Sequence, residues 1–398
     1  MSRTPSSQLL FAFITLTIIA LGCKKDQGNG SGDPYEAIEA TFGTRIDPNN
    51  LANYANQGKP NYINFDNTAG NNITDAKATL GRVLFYDKQL SIDNTISCGS
   101  CHIQQFAFGD TALASLGVQA GRTGRHSMRL VNARFSSEVK FFWDERAATL
   151  EQQTTQPIQD HAEMGFSGQN GRPNLAALLS KLSGIGYYKE LFQFVYGDQN
   201  ITEPRMQECL SQFIRSIQSF DSKYDVGRAQ VAQEQQGFPN FSPQENMGKN
   251  LYLMPPQFGP NGVRTGGGLG CGGCHRPPEF AIDPNSGNNG IIGVLNGTGI
   301  DINNTRSPSL RDLAGPSGLP NGPMMHTGVI RTLQAVIGHY GQINLAPGNT
   351  RLDPRLRPGG FGQQLNLNQQ EVDAVIAFLK TLTGSAVYTD VRWSNPFR

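Results

Sequence analysis

The chain has 398 residues, room for two domains of ordinary size, and a formal net charge of +1. That balance leaves no electrostatic footprint for nucleic acid or an anionic surface. With 46 Gly, 23 Pro and 37% hydrophobic residues, the composition excludes a coiled coil or simple bundle and describes a loop-rich globular protein.

At the N-terminus, Arg3 precedes the apolar run Leu9–Leu21, too short to span a bilayer but right for a signal-peptide core. Ala20-Leu21-Gly22-Cys23 follows the pattern of a bacterial lipoprotein signal. Residues 1–22 are therefore read as a signal peptide and Cys23 as a lipidated cysteine. The alternative is an ordinary signal with a stray cysteine. Both imply export, and the first implies a periplasmic protein that meets the membrane only through its lipid. Residues 23–65 read as a tether and N-terminal extension, and Lys24–Pro34 has the composition of a flexible linker.

Residues 35–72 are polar and lack periodicity. Thr74 then caps a helix with Leu80, Val83 and Leu84 on one face. The run Cys98-Gly99-Ser100-Cys101-His102 follows on a loop. Helices are expected over 174–183, 186–196 and 202–219, the last capped by Thr202 and carrying Cys209 on its apolar face as a small buried side chain. The Gln- and Gly-rich residues 226–241 read as an interdomain linker. Ser242-Pro243-Gln244-Glu245 is a capping box that starts the next helix. Then comes Cys271-Gly272-Gly273-Cys274-His275, followed by helices from Thr332 to Tyr340 and from Asn368 to Leu382. Strand signals are few, so the fold class is mainly α with long loops.

The two C-x-x-C-H runs are the signature of covalent haem c attachment. Each pair of thiols (Cys98 and Cys101, Cys271 and Cys274) adds to the haem vinyl groups, and His102 or His275 ligates the iron. Zinc or disulfides would be the other use of such cysteines. Leu80-Gly81-Arg82-Val83-Leu84-Phe85 is echoed by Met247-Gly248-Lys249-Asn250-Leu251-Tyr252. Each precedes a haem motif, and each motif is followed by Phe-Ala and an Asp (Asp110, Asp283). The echo argues for two related cytochrome-c-like haem domains, 66–235 and 236–398.

Further ordered motifs carry a resemblance. They are Leu80–Asp87, the first haem run, Phe142-Trp143-Asp144-Glu145-Arg146-Ala147, Leu150–Gln153, Pro157-Ile158 and Glu163-Met164-Gly165. In the second half come Ser307–Arg311, Pro323–Gly328 and Thr332-Leu333. Together these resemble the bacterial dihaem cytochrome c peroxidase family, which includes the MauG-type enzymes, over roughly residues 75 to 385. The resemblance implies a peroxidatic haem on His102, with Glu163 as the acid–base group, Gln153 as a second polar residue over that haem, and Trp143 between the haems. Arg146 and Arg311 are candidates to pair with haem propionates. The second haem, on His275, is expected to be electron-transferring and six-coordinate. Tyr340 occupies the position of its sixth ligand, with Met324, Met325 or His339 as alternatives. His326 belongs to a turn near that haem and is not expected to ligate.

His126 stands where relatives usually carry an Asn that ligates calcium. Imidazole suits that hard ion poorly, so calcium is in doubt; His126 as a haem ligand is a further possibility. The expected function is reduction of hydrogen peroxide with electrons from a small exported donor, a cytochrome c or a cupredoxin. The alternative is a MauG-like oxidase acting on residues of a partner protein through a high-valent two-haem state. A third reading is a non-catalytic electron-transfer cytochrome. Relatives are often homodimers.

Overall fold

Helices form where the sequence couples a capping residue to an apolar stripe. The computed structural model describes residues 1 and 33–397; residues 2–22 of the expected signal peptide and Cys23 lie outside the described residues. The chain divides into Met1–Pro34 and a compact unit, Tyr35–Arg398, to which every element below belongs.

The helices are α1 (Glu36–Phe42), α2 (Asp75–Tyr86), the single turn α3 (Cys98–Cys101), α4 (Leu150–Gln159), α5 (Leu175–Ser183), α6 (Gly186–Tyr196) and α7 (Glu203–Ser216). In the second half come α8 (Lys223–Arg228), α9 (Pro243–Leu253), α10 (Leu333–Gly341) and α11 (Gln369–Lys380). Two short antiparallel hairpins, β1 (Pro256–Phe258) with β2 (Arg264–Gly267) and β3 (His275–Arg276) with β4 (Ala281–Ile282), are the sheets among the described residues. The expected caps are in place: Thr74, Thr202, Ser242, Thr332 and Asn368 each accept a backbone N–H of the first turn. Helix α1 was not foreseen, because its cap is remote: the peptide N–H groups of Ala37 and Ile38 donate to the carboxylate of Glu190 on α6, each at 2.9 Å.

The internal echo is a structural repeat. Helix α2 crosses α7, and α9 crosses α11, each at a glycine. A Cβ on Gly81 would sit 1.9 Å from the Cys209 carbonyl oxygen and 2.9 Å from Phe213 Cβ; one on Gly248 would sit 1.9 Å from the Ala374 carbonyl oxygen and 3.0 Å from Phe378 Cβ. The sequence repeats glycine because the crossing leaves no room for a methyl group.

Two apolar cores follow. The first gathers Leu80, Leu84, Phe85, Leu178, Phe192 and Phe213, with Cys209 fully buried among them. The second centres on Tyr252, Phe280, Val375, Phe378 and Leu382. The chain's last residues, Val387, Tyr388 and Trp393, return to the first core. Residues expected as extension or linker are packed. Ile38, Phe42 and Tyr54 belong to the first core, and Phe238 and Phe241 to the second. The buried Lys249 ties that linker down by donating to the carbonyls of Glu234 and Gln236. Among the described residues no helix is long and apolar enough to cross a membrane.

Replacing Gly81 or Gly248 with Ala should therefore overpack a helix crossing and destabilise the protein by about 1–3 kcal/mol or more. Gly58→Ala, where a Cβ meets nothing within 4 Å, is the control and should be near neutral. Chemical unfolding of the holoprotein measures both; equal midpoints for all three variants would remove the crossing from its place in the fold.

Candidate active site

Each C-x-x-C-H run opens into its own cavity. The first, of about 610 Å³, is lined by Cys98, Cys101 and His102 together with Trp143, Gln153 and Glu163. The second, of about 480 Å³, is lined by Cys271, Cys274 and His275 together with Met324, Met325 and Tyr340. The four motif thiols are free, and burial holds them protonated, pushing Cys98, Cys101 and Cys271 up to about 12 and Cys274 to about 11. Among the described residues no three His, Cys, Asp or Glu side chains converge as a metal cluster, so the two runs do not pool their ligands as a zinc site would.

The donor set fits haem c. His102 Nδ1 lies 3.0 Å from the Phe108 carbonyl oxygen, so it donates there and leaves Nε2 as the free ligating nitrogen. Ser127 Oγ adds a second contact at 3.2 Å. His275 Nδ1 has the corresponding Ser307 Oγ at 3.4 Å. Burial keeps both rings neutral, His275 falling to about 4 with the help of Arg355 and Arg129. Two thiols and one neutral imidazole per cavity, in largely apolar walls, are what covalent haem attachment needs.

The repeat extends to the walls. A bridge pairs Phe141 with Ala147 and another pairs Met324 with Ile330. Within each, one residue adopts a left-handed backbone: Phe142 at φ 70° and Met325 at φ 69°. Thr149 and Thr332 then cap α4 and α10. Counting from the caps, Trp143 corresponds to His326 and Pro157 to Tyr340. Trp143 and His326 meet edge to face, centroids 6.2 Å apart. The backbones exchange hydrogen bonds: His126 N–H donates to the His326 carbonyl at 2.7 Å, and Arg306 N–H to the Trp143 carbonyl at 3.1 Å. Trp143 Nε1 donates to the His126 carbonyl at 2.7 Å, which fixes the indole between the cavities; it lines both.

Gln153 and Pro157 lie one turn apart on α4 and share the face towards the first cavity. Glu163 follows in a tight loop. Its N–H and that of Ala162 donate to the Asp160 carboxylate, at 3.0 and 2.8 Å. Gly165 at φ 88° lets the loop pass Ile92, where a Cβ would meet a side-chain carbon at 2.8 Å. Burial raises the Glu163 carboxyl to about 7; the Asp160 charge adds to this and Arg146 opposes it. A further cavity of about 300 Å³ shares Arg146, Pro157, Asp160 and Glu163 with the first, so Glu163 stands at their junction.

In the second cavity Tyr340, Met324 and Met325 share the wall, and Asn289 Nδ2 donates to Met325 Sδ at 3.0 Å and to the Tyr340 hydroxyl at 3.4 Å. His339 points elsewhere, bonded through Nε2 to the Asn289 carbonyl oxygen at 2.9 Å. His326 is engaged through Nε2 by the Gly293 carbonyl at 2.9 Å, and His126 through Nδ1 by that of Ala112, also at 2.9 Å.

Arg146 lines the first cavity, paired with Asp144 at 2.8 Å and stacked on Phe142 at 3.5 Å. Arg311 corrects the expectation that it pairs with a propionate. It lines neither cavity and is fully buried, holding both carboxylate oxygens of Asp225 at 2.9 Å and the Pro278 carbonyl. Its guanidinium is spent on a structural ion pair. The arginines that line both cavities are Arg129 and Arg306, which sequence reasoning passed over; neither lies on a periodic face or in a catalytic motif.

Comparison with known proteins agrees with this geometry. Residues 75–235 match the family model described as di-haem cytochrome c peroxidase. The chain is 28% identical over 330 residues to the methylamine utilization protein MauG of Methylophilus methylotrophus, covering 80% of this chain and 85% of that one. It is 27% identical to the cytochrome c551 peroxidase of Nitrosomonas europaea, covering 77% and 80%. Among solved structures, a MauG-like protein associated with microbial copper homeostasis superposes with a TM-score of 0.65 at 27% identity, covering 86% of this chain and 99% of that one. The chain is thus similar over residues 75–235 to the di-haem cytochrome c peroxidase family, and over about four fifths of its length to MauG and cytochrome c peroxidase proteins, a similarity that implies a haem c in each cavity.

Proposed function

We propose that this protein is a dihaem c-type peroxidase that reduces hydrogen peroxide to water. One observation carries the reading. Where the second cavity presents Tyr340, the first presents Pro157, which has no side-chain donor atom, and beside it stands a carboxyl that titrates near neutrality. A haem held by Cys98, Cys101 and His102 would supply redox-active iron for peroxide reduction. Gln153, in the wall of that cavity, would orient peroxide through its side-chain amide. Glu163 accepts a proton from the inner peroxide oxygen and returns it to the leaving one, a transfer that needs an acid–base group poised near the working pH. Peroxide, two electrons and two protons give two waters. The junction with the 300 Å³ cavity offers Glu163 a path for protons and peroxide. Trp143, in the wall common to both cavities, bridges them for electrons that enter on the His275 side.

The donor in this reading is a small exported redox protein of the cytochrome c or cupredoxin type. In this reading the chain is exported to the periplasm and anchored through lipid on Cys23. Calcium is not part of the reading, since His126 is committed to a carbonyl and imidazole suits that ion poorly. Tyr340 would serve as a ligand to the iron of the second haem, and Asn289 steadies its hydroxyl. Tyr340 also favours a second reading, oxidation of a partner protein's residues, because an anionic oxygen ligand lowers the reduction potential where a Met raises it.

Steady-state turnover of peroxide with a reduced small cytochrome c tests the first reading; its absence in protein carrying both haems overturns it in favour of the second. Glu163→Gln should lower the rate of peroxide reduction at least about a hundredfold with haem content unchanged. Asp160→Asn removes a charge that raises the Glu163 carboxyl, so the ionisation near pH 7 in the rate profile should move to lower pH. An unmoved profile would detach that ionisation from Glu163. Tyr340→Phe should abolish the low-spin spectrum of the His275 haem; an unaltered spectrum would pass the ligand role to Met324 or Met325.

A further inference from the structure

The cations lining the cavities fall into two groups. Arg125, Arg146 and Arg355 each have a carboxylate within 2.8 Å: Asp144 and Asp301 for the first, Asp144 for the second, Asp353 for the third. Arg129 and Arg306 have none. Arg129 donates through Nη2 to the Ser309 carbonyl at 3.0 Å, and its buried Nε has no partner. Arg306 donates to the carbonyls of Glu138 and Lys140 and stacks on Phe141. The acids these two feel act only through space: Asp312 and Tyr388 on Arg129, Glu138 and Glu145 on Arg306. Burial pushes both guanidiniums down to about 10, which is still charged at neutral pH.

Their position is as telling as their lack of partners. Both line both cavities. The Arg129 stem crosses Gly109, where a Cβ would meet its Cγ at 2.9 Å, next to the Phe108 whose carbonyl holds His102. Its head reaches Ser309 in the other half, close enough to His275 to depress that ring's protonation. A buried ion without a counterion is costly, and a guanidinium with a free donor is built for a carboxylate.

We propose that Arg129 and Arg306 form a carboxylate receptor in the wall between the cavities, one arginine from each half, that binds the carboxylate side chains of the cofactors and sets their reduction potentials. The proposal rests on a haem c in each cavity. Arg129 is a positioning residue in it: its charge would neutralise a cofactor carboxylate held in the wall that both cavities share.

Redox titration of the holoprotein, with the midpoint of each haem followed by its absorbance, is the test. Arg129→Leu leaves a carboxylate uncompensated, which favours the oxidised iron. At least one midpoint should fall by a tenfold change in the reduction equilibrium or more, about 59 mV for one electron. The orphaned carboxylate should also bind a proton more readily, giving that midpoint a new pH dependence between about pH 5 and 8. Arg129→Lys, which keeps the charge, should restore the midpoint and abolish the pH dependence. If Arg129→Leu does not accumulate, Arg129→Gln, which retains a donor for Ser309 without the charge, is read the same way. Midpoints and pH dependence unchanged in the uncharged variant overturn the receptor. Fewer than two covalent haems per wild-type chain would instead overturn the cofactor reading beneath it.

Discussion

The exchange of backbone hydrogen bonds between His126 and His326, and between Arg306 and Trp143, is the constraint on which both cavities depend. Buried peptide groups must find partners, so the pairing holds the two halves in one register. It also sets the side chains beside it. The residue after His126 is Ser127, whose hydroxyl backs His102; the residue after Arg306 is Ser307, whose hydroxyl backs His275. The residues on the accepting side, Trp143 and His326, bring their rings edge to face across the junction. A single pairing thus orients both proximal imidazoles and places an aromatic contact between the cavities.

A repeated frame makes differences between its copies informative. The caps Thr149 and Thr332, the left-handed Phe142 and Met325, and the crossing glycines Gly81 and Gly248 recur with nearly the same geometry. Against that background three substitutions break the symmetry. Pro157 replaces the phenol of Tyr340, Gln153 replaces the apolar Val336, and Trp143 replaces His326. Two of the three change the cavity walls, leaving the first without the phenol that the second presents and giving it an amide in place of an apolar side chain.

Much of this was legible from sequence because it rests on local chemistry. C-x-x-C-H names the thiols and the imidazoles, and a Thr or Ser before an apolar stripe names a helix start. Tyr340 was singled out through the family resemblance, and it lines the second cavity beside Met324 and Met325. Long-range partnerships were not. Helix α1 is capped by Glu190, more than 150 residues away. The residues taken for a linker are tied down by Lys249. Arg311 and Arg129 look alike in sequence; only the fold shows that the first has a carboxylate and the second has none. A charge is understood from its partner, and the partner is a property of the fold.

The same principle separates Glu163 from the acids near it. Asp144 and Asp301 also line the first cavity, but Arg125 lies 2.8 Å from each, and its guanidinium holds the Asp301 carboxyl below the usual carboxylate range. Glu163 has only the through-space pull of Arg146, opposed by burial and by Asp160. Asp160 is exposed, and it accepts the very peptide N–H groups that shape the Glu163 loop. One surface carboxylate therefore does two things. It folds the loop that carries Glu163 to the cavity, and its charge adds to the burial that raises the Glu163 carboxyl. Loop geometry and proton affinity are coupled through one side chain, so the acid–base group cannot be placed without also being tuned.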